Sequence, residues 1–296
     1  MLRTTGRRFK SAHPCPKLRD VEPAVAPPAA APSARGGRGV HRFANPGRFL
    51  RFSGQVLPWL AAGGIVLTVV GLFWGAFVAP PDWQQGQAAR IMYVHVPAAW
   101  LALSGYFALA AASAAALVWR HPLADLAAAE IGPVGACFAA LCLVTGSLWG
   151  KPMWGAWWVW DARLTSMLVL FFLYLGQIAL IRAFDEPARG YRAGAILALI
   201  GIVDLPIIHF SVVWWNTLHQ GNSLGLFSAP TIYISMLWPL LVTALGYSLG
   251  FAAIVLARLR AAVLERRIAA LLTARAMGAE RRPARGGTEA AGLGAG

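Results

Sequence analysis

Apolar residues come in six long runs along this chain, at about 57–79, 98–119, 127–148, 164–183, 193–213 and 232–257. Each run is about 20 residues long, enough for a helix to cross a ~30 Å hydrocarbon core. The runs are apolar all round, whereas a helix at the edge of a soluble core keeps a polar face. The pattern predicts an all-α integral membrane protein with six transmembrane helices. Pro58, Pro97, Pro133 and Pro239 fall in the first turns of these spans or just before them, where a helix has no use for the missing amide donor. Short polar segments at 120–126 and 184–192 alternate with richer ones at 80–97, 149–163 and 214–231.

Composition supports this reading. Of 296 residues 58% are hydrophobic and 13% charged, against about 25% charged in soluble domains, and mean hydropathy is +0.57. Residues 1–47, rich in Pro, Ala, Gly and Arg, have no hydrophobic periodicity and cannot bury enough surface to fold alone. They are expected to be a disordered basic extension, a start placed too early or an Arg-rich, acid-poor organellar presequence; their prolines count against the amphipathic helix of the last. Residues 48–257 form the six-span domain, and 258–296 a basic tail.

Charge sets the orientation. Of 26 Lys+Arg, eleven lie in residues 1–51 and eight from Arg258 onward. Six spans put both termini on one side, together with Arg120, Arg182, Arg189 and Arg192; only Arg90, Lys151 and Arg163 fall on the other. The positive-inside rule makes both termini cytoplasmic. The net charge of +14 thus reflects topology and attraction to anionic membrane lipid, and no nucleic acid is needed to explain it. Cys15, Cys137 and Cys142 have no metal-binding spacing; Cys137 and Cys142 point to different faces of one helix and read as packing residues, without a disulfide. No nucleotide-binding motif is present.

Function is therefore sought on the outer side, where nine of thirteen tryptophans lie: Trp83, Trp100, Trp149, Trp154, Trp157, Trp158, Trp160, Trp214 and Trp215. An interfacial belt would populate both sides of the membrane, but the inner side has little beyond Trp119. Trp154, Trp157, Trp158 and Asp161 stand at i, i+3, i+4 and i+7, so a tryptophan-rich interfacial helix would align them on one stripe, with Trp160 turned away. At the C-terminal end of that helix the charge of Asp161 would oppose the dipole, which calls for a partner such as Arg163. An indole platform suits a large planar apolar ligand, and Arg163 and Lys151 flank it to neutralise anionic groups at the ligand's edge. Haem has that profile, and neutral imidazole is one of its axial ligands. His95, in "MYVHVPAAW", and His219, in "WWNTLHQGNS", both lie in outer segments beside tryptophan.

The stretch "GKPMWGAWWVWDARLT" resembles the tryptophan-rich WWD signature of the haem-handling proteins, and "RIMYVHVPAAW" and "WWNTLHQG" resemble the histidine segments of its CcmC branch. The resemblance runs from about Arg48 to Arg267; the relatives CcmF and CcsA have more spans. It implies His95 and His219 as axial ligands of haem iron, and 149–165 as the porphyrin-binding segment, with Trp149, Trp154, Trp157, Trp158, Trp160, Asp161 and Arg163 beside Trp214 and Trp215. It implies a bacterial inner-membrane, multi-pass protein that is not an enzyme. Such a protein holds haem b as cargo at the periplasmic face and passes it to the chaperone CcmE, with the CcmA–CcmB ABC transporter and CcmD as partners. The N-terminal extension departs from that pattern. A haem b redox subunit would need paired histidines at depth, and only His209 lies within a span. The permease of an ABC-type haem exporter would need a larger inner loop to grip its ATPase. Asp204 and His209 of the fifth span are intramembrane ionisable groups, about 140° apart around a helix, with Pro206 between them freeing a backbone carbonyl; a packing or helix-bending role is expected of both.

Overall fold

The computed structural model describes residues 45–121, 123–215, 217–219 and 231–280. Their regular structure is helical, with no strand among them. Seven α-helices follow in order: α1 (Pro46–Phe73), α2 (Met92–Trp119), α3 (Ala124–Trp154), α4 (Ala162–Arg182), α5 (Pro187–Gly201), α6 (Asp204–Trp214) and α7 (Ile234–Glu280). A π-helical turn, Trp74–Val78, extends α1, and a 3₁₀ turn, Gln87–Ile91, leads into α2. Counted as spans these make six, with α5 and α6 sharing the fifth, and all six are long and apolar enough to cross a bilayer.

The helices overrun the apolar runs that announce them. α1 begins at Pro46, behind the N-cap of Asn45, whose side chain accepts from the Gly47 and Arg48 amides. Pro58, Pro97, Pro133 and Pro239 consequently lie inside helices rather than at their starts. Hydropathy marks only the lipid-facing length, so a helix continuing past the bilayer moves its own start away from the proline. Such prolines are tolerated in membrane helices because neighbouring groups satisfy the freed carbonyl. α7 likewise continues through residues 258–280, the expected start of the basic tail.

The fifth span breaks just before Pro206. Proline has no amide to bond the carbonyl four residues back and its ring crowds that carbonyl; here, unlike at Pro58, Pro97, Pro133 and Pro239, the helix opens, at residues 202 and 203. α5 stops at Gly201, and Asp204 opens α6, placing Pro206 in its first turn. Asp204 is buried there and His209 exposed, so the two do not share surroundings.

Small residues set the packing. The extensive α1–α7 contact depends on backbones nearly touching: a Cβ on Gly246 would lie 2.4 Å from the Thr68 amide nitrogen. The main core joins Ala98, Ala102, Tyr106 and Leu109 of α2 to Ala139 of α3, Leu170 and Tyr174 of α4 and Ala198 of α5. Tyr174 donates to the Ala102 carbonyl at 2.8 Å, so its hydroxyl is not stranded in the core.

Two smaller clusters mark the bundle's ends. One joins Leu123 and Leu126, at the α2–α3 connection, to Leu259, Ala262 and Val263 of α7, with Phe49, Leu50 and Tyr191 against them. This is the arginine end. The other joins Ala79, Ala89, Met92 and Tyr93 to Met236 and Leu240 of α7, with Trp149 alongside. Here lie the long connections and both candidate histidines.

Candidate functional site

His95 stands in the first turn of α2 and is buried against α3. Its Nδ1 lies 3.0 Å from the Cys142 carbonyl and 3.1 Å from Thr145 Oγ1. A carbonyl can only accept, so Nδ1 carries the proton. The Thr145 hydroxyl lies 2.6 Å from the Leu141 carbonyl and donates there, which leaves its oxygen free to accept from His95. The neutral ring therefore keeps the lone pair on Nε2, in the tautomer and orientation that metal-binding histidines share. Gly146 makes the space: a Cβ there would sit 2.9 Å from His95 Cε1. Trp149, one turn on, meets the imidazole edge to face at 5.7 Å and 80°. Its Nε1 donates to Gln85 Oε1 at 3.0 Å, and Gln85 is held by a turn in which Asp82 Oδ1 accepts from the Gln84 and Gln85 amides.

His219 comes from the segment after α6, and its ring centroid lies 6.4 Å from that of His95, the planes inclined at 34°. Metal–imidazole nitrogen bonds are about 2.0–2.1 Å long, so two imidazoles bound to one ion from opposite sides stand about 6 Å apart, centroid to centroid. The Trp154 ring lies 6.3 Å from His219 on the side of α3. Arg163 lies near it too, Nη1 being 3.5 Å from His219 Nδ1, while Nε donates to Ser211 Oγ and Nη2 to the Ile208 and His209 carbonyls. Those carbonyls belong to the middle of α6. Arg163 thus ties the start of α4 to α6 and to the histidine pair. No sequence signal marked this tie.

The tryptophan segment differs from its expected form. α3 runs only to Trp154 and ends on Gly155 in the left-handed region at φ 75°, which glycine adopts without Cβ strain. Residues 156–161 are not helical, so Trp154, Trp157, Trp158 and Asp161 form no helical stripe and there is no interfacial helix. Asp161 is instead the N-cap of α4, its Oδ1 accepting from the Leu164 amide at 2.8 Å. Such a side chain competes with continuing helix and favours an N-terminus. Its charge therefore sits where the α4 dipole welcomes it, and the expected need for a compensating Arg163 disappears.

The rings of this segment spread out. Lys151 Nζ lies 5.8 Å from the Trp157 ring centroid, and Trp158 meets Trp160 edge to face at 5.6 Å. Trp214 stacks on Phe210 at 5.2 Å and meets Trp215 at 5.7 Å. His95, His219, Trp149, Trp154 and Arg163 thus form the centre, while Trp157, Trp158, Trp160, Trp214 and Trp215 form exposed or half-buried flanks. Two buried polar atoms of the flank, Trp158 Nε1 and Asp161 Oδ2, make no hydrogen bond among the described residues. Thr145, Gly146, Gln85 and the Cys142 carbonyl were not singled out by sequence, since each acts through a contact made in three dimensions.

Fold and site together define a polytopic membrane protein with a paired-imidazole, indole-lined site at one end of its bundle. The family model described as heme exporter protein C matches residues 39–274, and the chain belongs to that family. It is 52% identical over 229 residues to the heme exporter protein C of Bradyrhizobium diazoefficiens, covering 77% of this chain and 87% of that relative. It is 49% identical over 225 residues to that of Escherichia coli K12, covering 76% and 91%, and 38% identical over 233 residues to that of Rhodobacter capsulatus, covering 78% and 96%.

Proposed function

We propose that this protein binds haem b as a transient cargo between His95 and His219, at the periplasmic face of the bacterial inner membrane. It then passes the haem to the periplasmic chaperone CcmE for c-type cytochrome maturation, acting with CcmD and the CcmA–CcmB transporter. The observation that carries this reading is the 6.4 Å separation of two imidazoles, one of them held by its Nδ1–H so that Nε2 keeps its lone pair. Membership of a family described as heme exporter names the cargo. The preponderance of arginine at the opposite end supports a periplasmic site by the positive-inside rule. Neutral imidazoles on both faces make a low-spin, six-coordinate iron. Cargo clamped in this way leaves only after one iron–nitrogen bond breaks.

Within this reading, Trp149 and Trp154 orient the imidazoles, and the flanking indoles supply apolar surface for the porphyrin. Arg163 and Lys151 face its carboxylates. The test is the visible spectrum of the purified protein. The native chain should show low-spin six-coordinate haem, and His95→Ala or His219→Ala should each lose haem or turn it high-spin. His121→Ala, at the arginine end, should leave the spectrum unchanged. Native spectra in both His95→Ala and His219→Ala would overturn the assignment.

A further inference from the structure

α7 does not stop where the bundle does. Arg266 fixes its level: the guanidinium pairs with Asp125, in the first turn of α3, at 3.0 Å and lies 5.3 Å from the ring of Tyr191, near the start of α5. Both partners sit at the arginine end of the bundle, so residues 267–280 run on past it, by about 20 Å at 1.5 Å per residue. Every described side chain from Leu264 to Met277 is exposed.

The exposed residues are not arranged at random. At about 100° per residue, Leu264, Ile268, Leu271 and Leu272 fall on one stripe, and Arg266 falls on the opposite side. Arg266 is tied to the bundle, so the stripe faces directly away from it. Its four aliphatic side chains are 44%, 56%, 71% and 63% exposed, an alignment that scattered surface leucines do not produce.

We propose that this stripe is the docking face for an amphipathic helix of a partner protein, one whose apolar seam is flanked by acidic residues. Leu264, Ile268 and Leu271 follow the four–three spacing by which one helix inserts side chains between those of another. Arg275 continues the same register and Arg267 flanks one edge, while Glu265 borders the other edge nearer the bundle, so the outer part of the seam, where the two cations lie, selects carboxylates opposite. A second copy in register would set Arg275 against Arg275, a like-charge pair. Residues 1–44 and 281–296 of the chain are basic and carry no helical apolar stripe, so they do not complement it either. A lipid surface fits poorly, because α7 is one continuous helix with its membrane-crossing segment and extends lengthwise from the bundle rather than lying flat.

A photoreactive amino acid placed at Leu271, or on the opposite face at Thr273, in the full-length chain in its native membrane tests this directly. The cross-linked segment is then sequenced by mass spectrometry. Position 271 should react at least tenfold more than 273, with a helical segment of another protein bearing heptad-spaced apolar residues and flanking Asp or Glu. Arg267→Glu combined with Arg275→Glu should lower the yield at least tenfold. Cross-links to lipid, to a second copy or to a segment without acidic flanks would each overturn the proposal. So would equal yields at the two positions, no adduct, or indifference to the charge reversal.

Discussion

At the arginine end of the bundle the connections 120–123 and 183–186 are short, and charges meet their opposites. Arg258 pairs with Glu130 at 2.9 Å and Arg266 with Asp125 at 3.0 Å, while Arg260 donates to the Leu50 carbonyl and Ser53 Oγ. At the histidine end the connections are long and lined with indoles, and four buried polar atoms have no hydrogen-bond partner among the described residues: Arg90 Nε, Tyr93 Oη, Trp158 Nε1 and Asp161 Oδ2. Buried polar groups are ordinarily satisfied, but open ones also occur deeper in the bundle and toward the arginine end, at Tyr106 Oη, Ser113 Oγ, Gln177 Oε1 and Asp204 Oδ2, so the histidine end is set apart by its long connections, its indoles and its paired imidazoles. One end closes the bundle. On the proposed reading, the other holds the haem. This contrast requires that changes at the histidine end act on haem with little effect on folding, and that changes at the arginine end do the reverse.

The largest effect is expected from Gly146→Val. Its Cβ would meet His95 Cε1 at 2.9 Å, and the branched side chain forces the imidazole aside. Overpacking of this kind costs about 1–3 kcal/mol, which as lost affinity is roughly a fivefold to 150-fold fall in haem retention. The thermal midpoint in lipid nanodiscs should move far less than after a comparable change in the main core. Normal haem content in Gly146→Val would mean that His95 does not need its present position, and the contrast between the ends would fail.

Asp161 divides structure from transfer. Asp161→Ala removes an N-cap, at about 1 kcal/mol of helix stability. Asp161→Asn keeps an oxygen to accept from the Leu164 amide and removes only charge. Haem binding should survive in Asp161→Asn while loading of the chaperone falls, measured as haem on each protein after co-purification. Equal loading by Asp161→Asn and the native chain would remove Asp161 from transfer and leave it a cap. Thr145→Val comes next. It deletes the hydroxyl beside His95 Nδ1 but leaves the Cys142 carbonyl, so the loss should be one neutral hydrogen bond of about 0.5–1.5 kcal/mol. Haem affinity should fall between about twofold and tenfold, and a larger fall would make Thr145 the principal anchor.

The sequence made the six spans legible because a lipid environment demands about 20 apolar residues per crossing. It left helix ends obscure because hydropathy carries no information about a helix once it leaves the bilayer, as at Pro46 and beyond Arg258. The histidine pair stood out because imidazoles beside tryptophan on one side of a membrane protein are rare outside a site. The shape of the tryptophan segment did not, since its spacing at i, i+3, i+4 and i+7 competes with stop signals in the same stretch. Gly155 and Asp161 are a helix end and a helix start, and they outrank periodicity over eight residues. The cradle of His95 was hidden for a different reason: Thr145, Gly146 and Gln85 acquire their roles only when α2 lies on α3.

The smallest effect belongs to the arginine end. Asp125 and Arg266 are 27% and 44% exposed at the side chain, and ion pairs with that much solvent contribute about 0–1 kcal/mol. Arg266→Ala should therefore lower the thermal midpoint slightly and leave the haem spectrum as in the native chain. Raising the salt concentration should shrink the difference between Arg266→Ala and native protein, because screening acts on the pair that the substitution removes. The guanidinium also covers the Tyr191 ring, and that contact depends less on salt. A midpoint difference that persists at high salt would assign the tie to Tyr191 rather than to Asp125. A changed haem spectrum in Arg266→Ala would be the more serious result, because it would couple two ends that share no described hydrogen bond or ion pair and would replace the division between them with a bundle that responds as a whole.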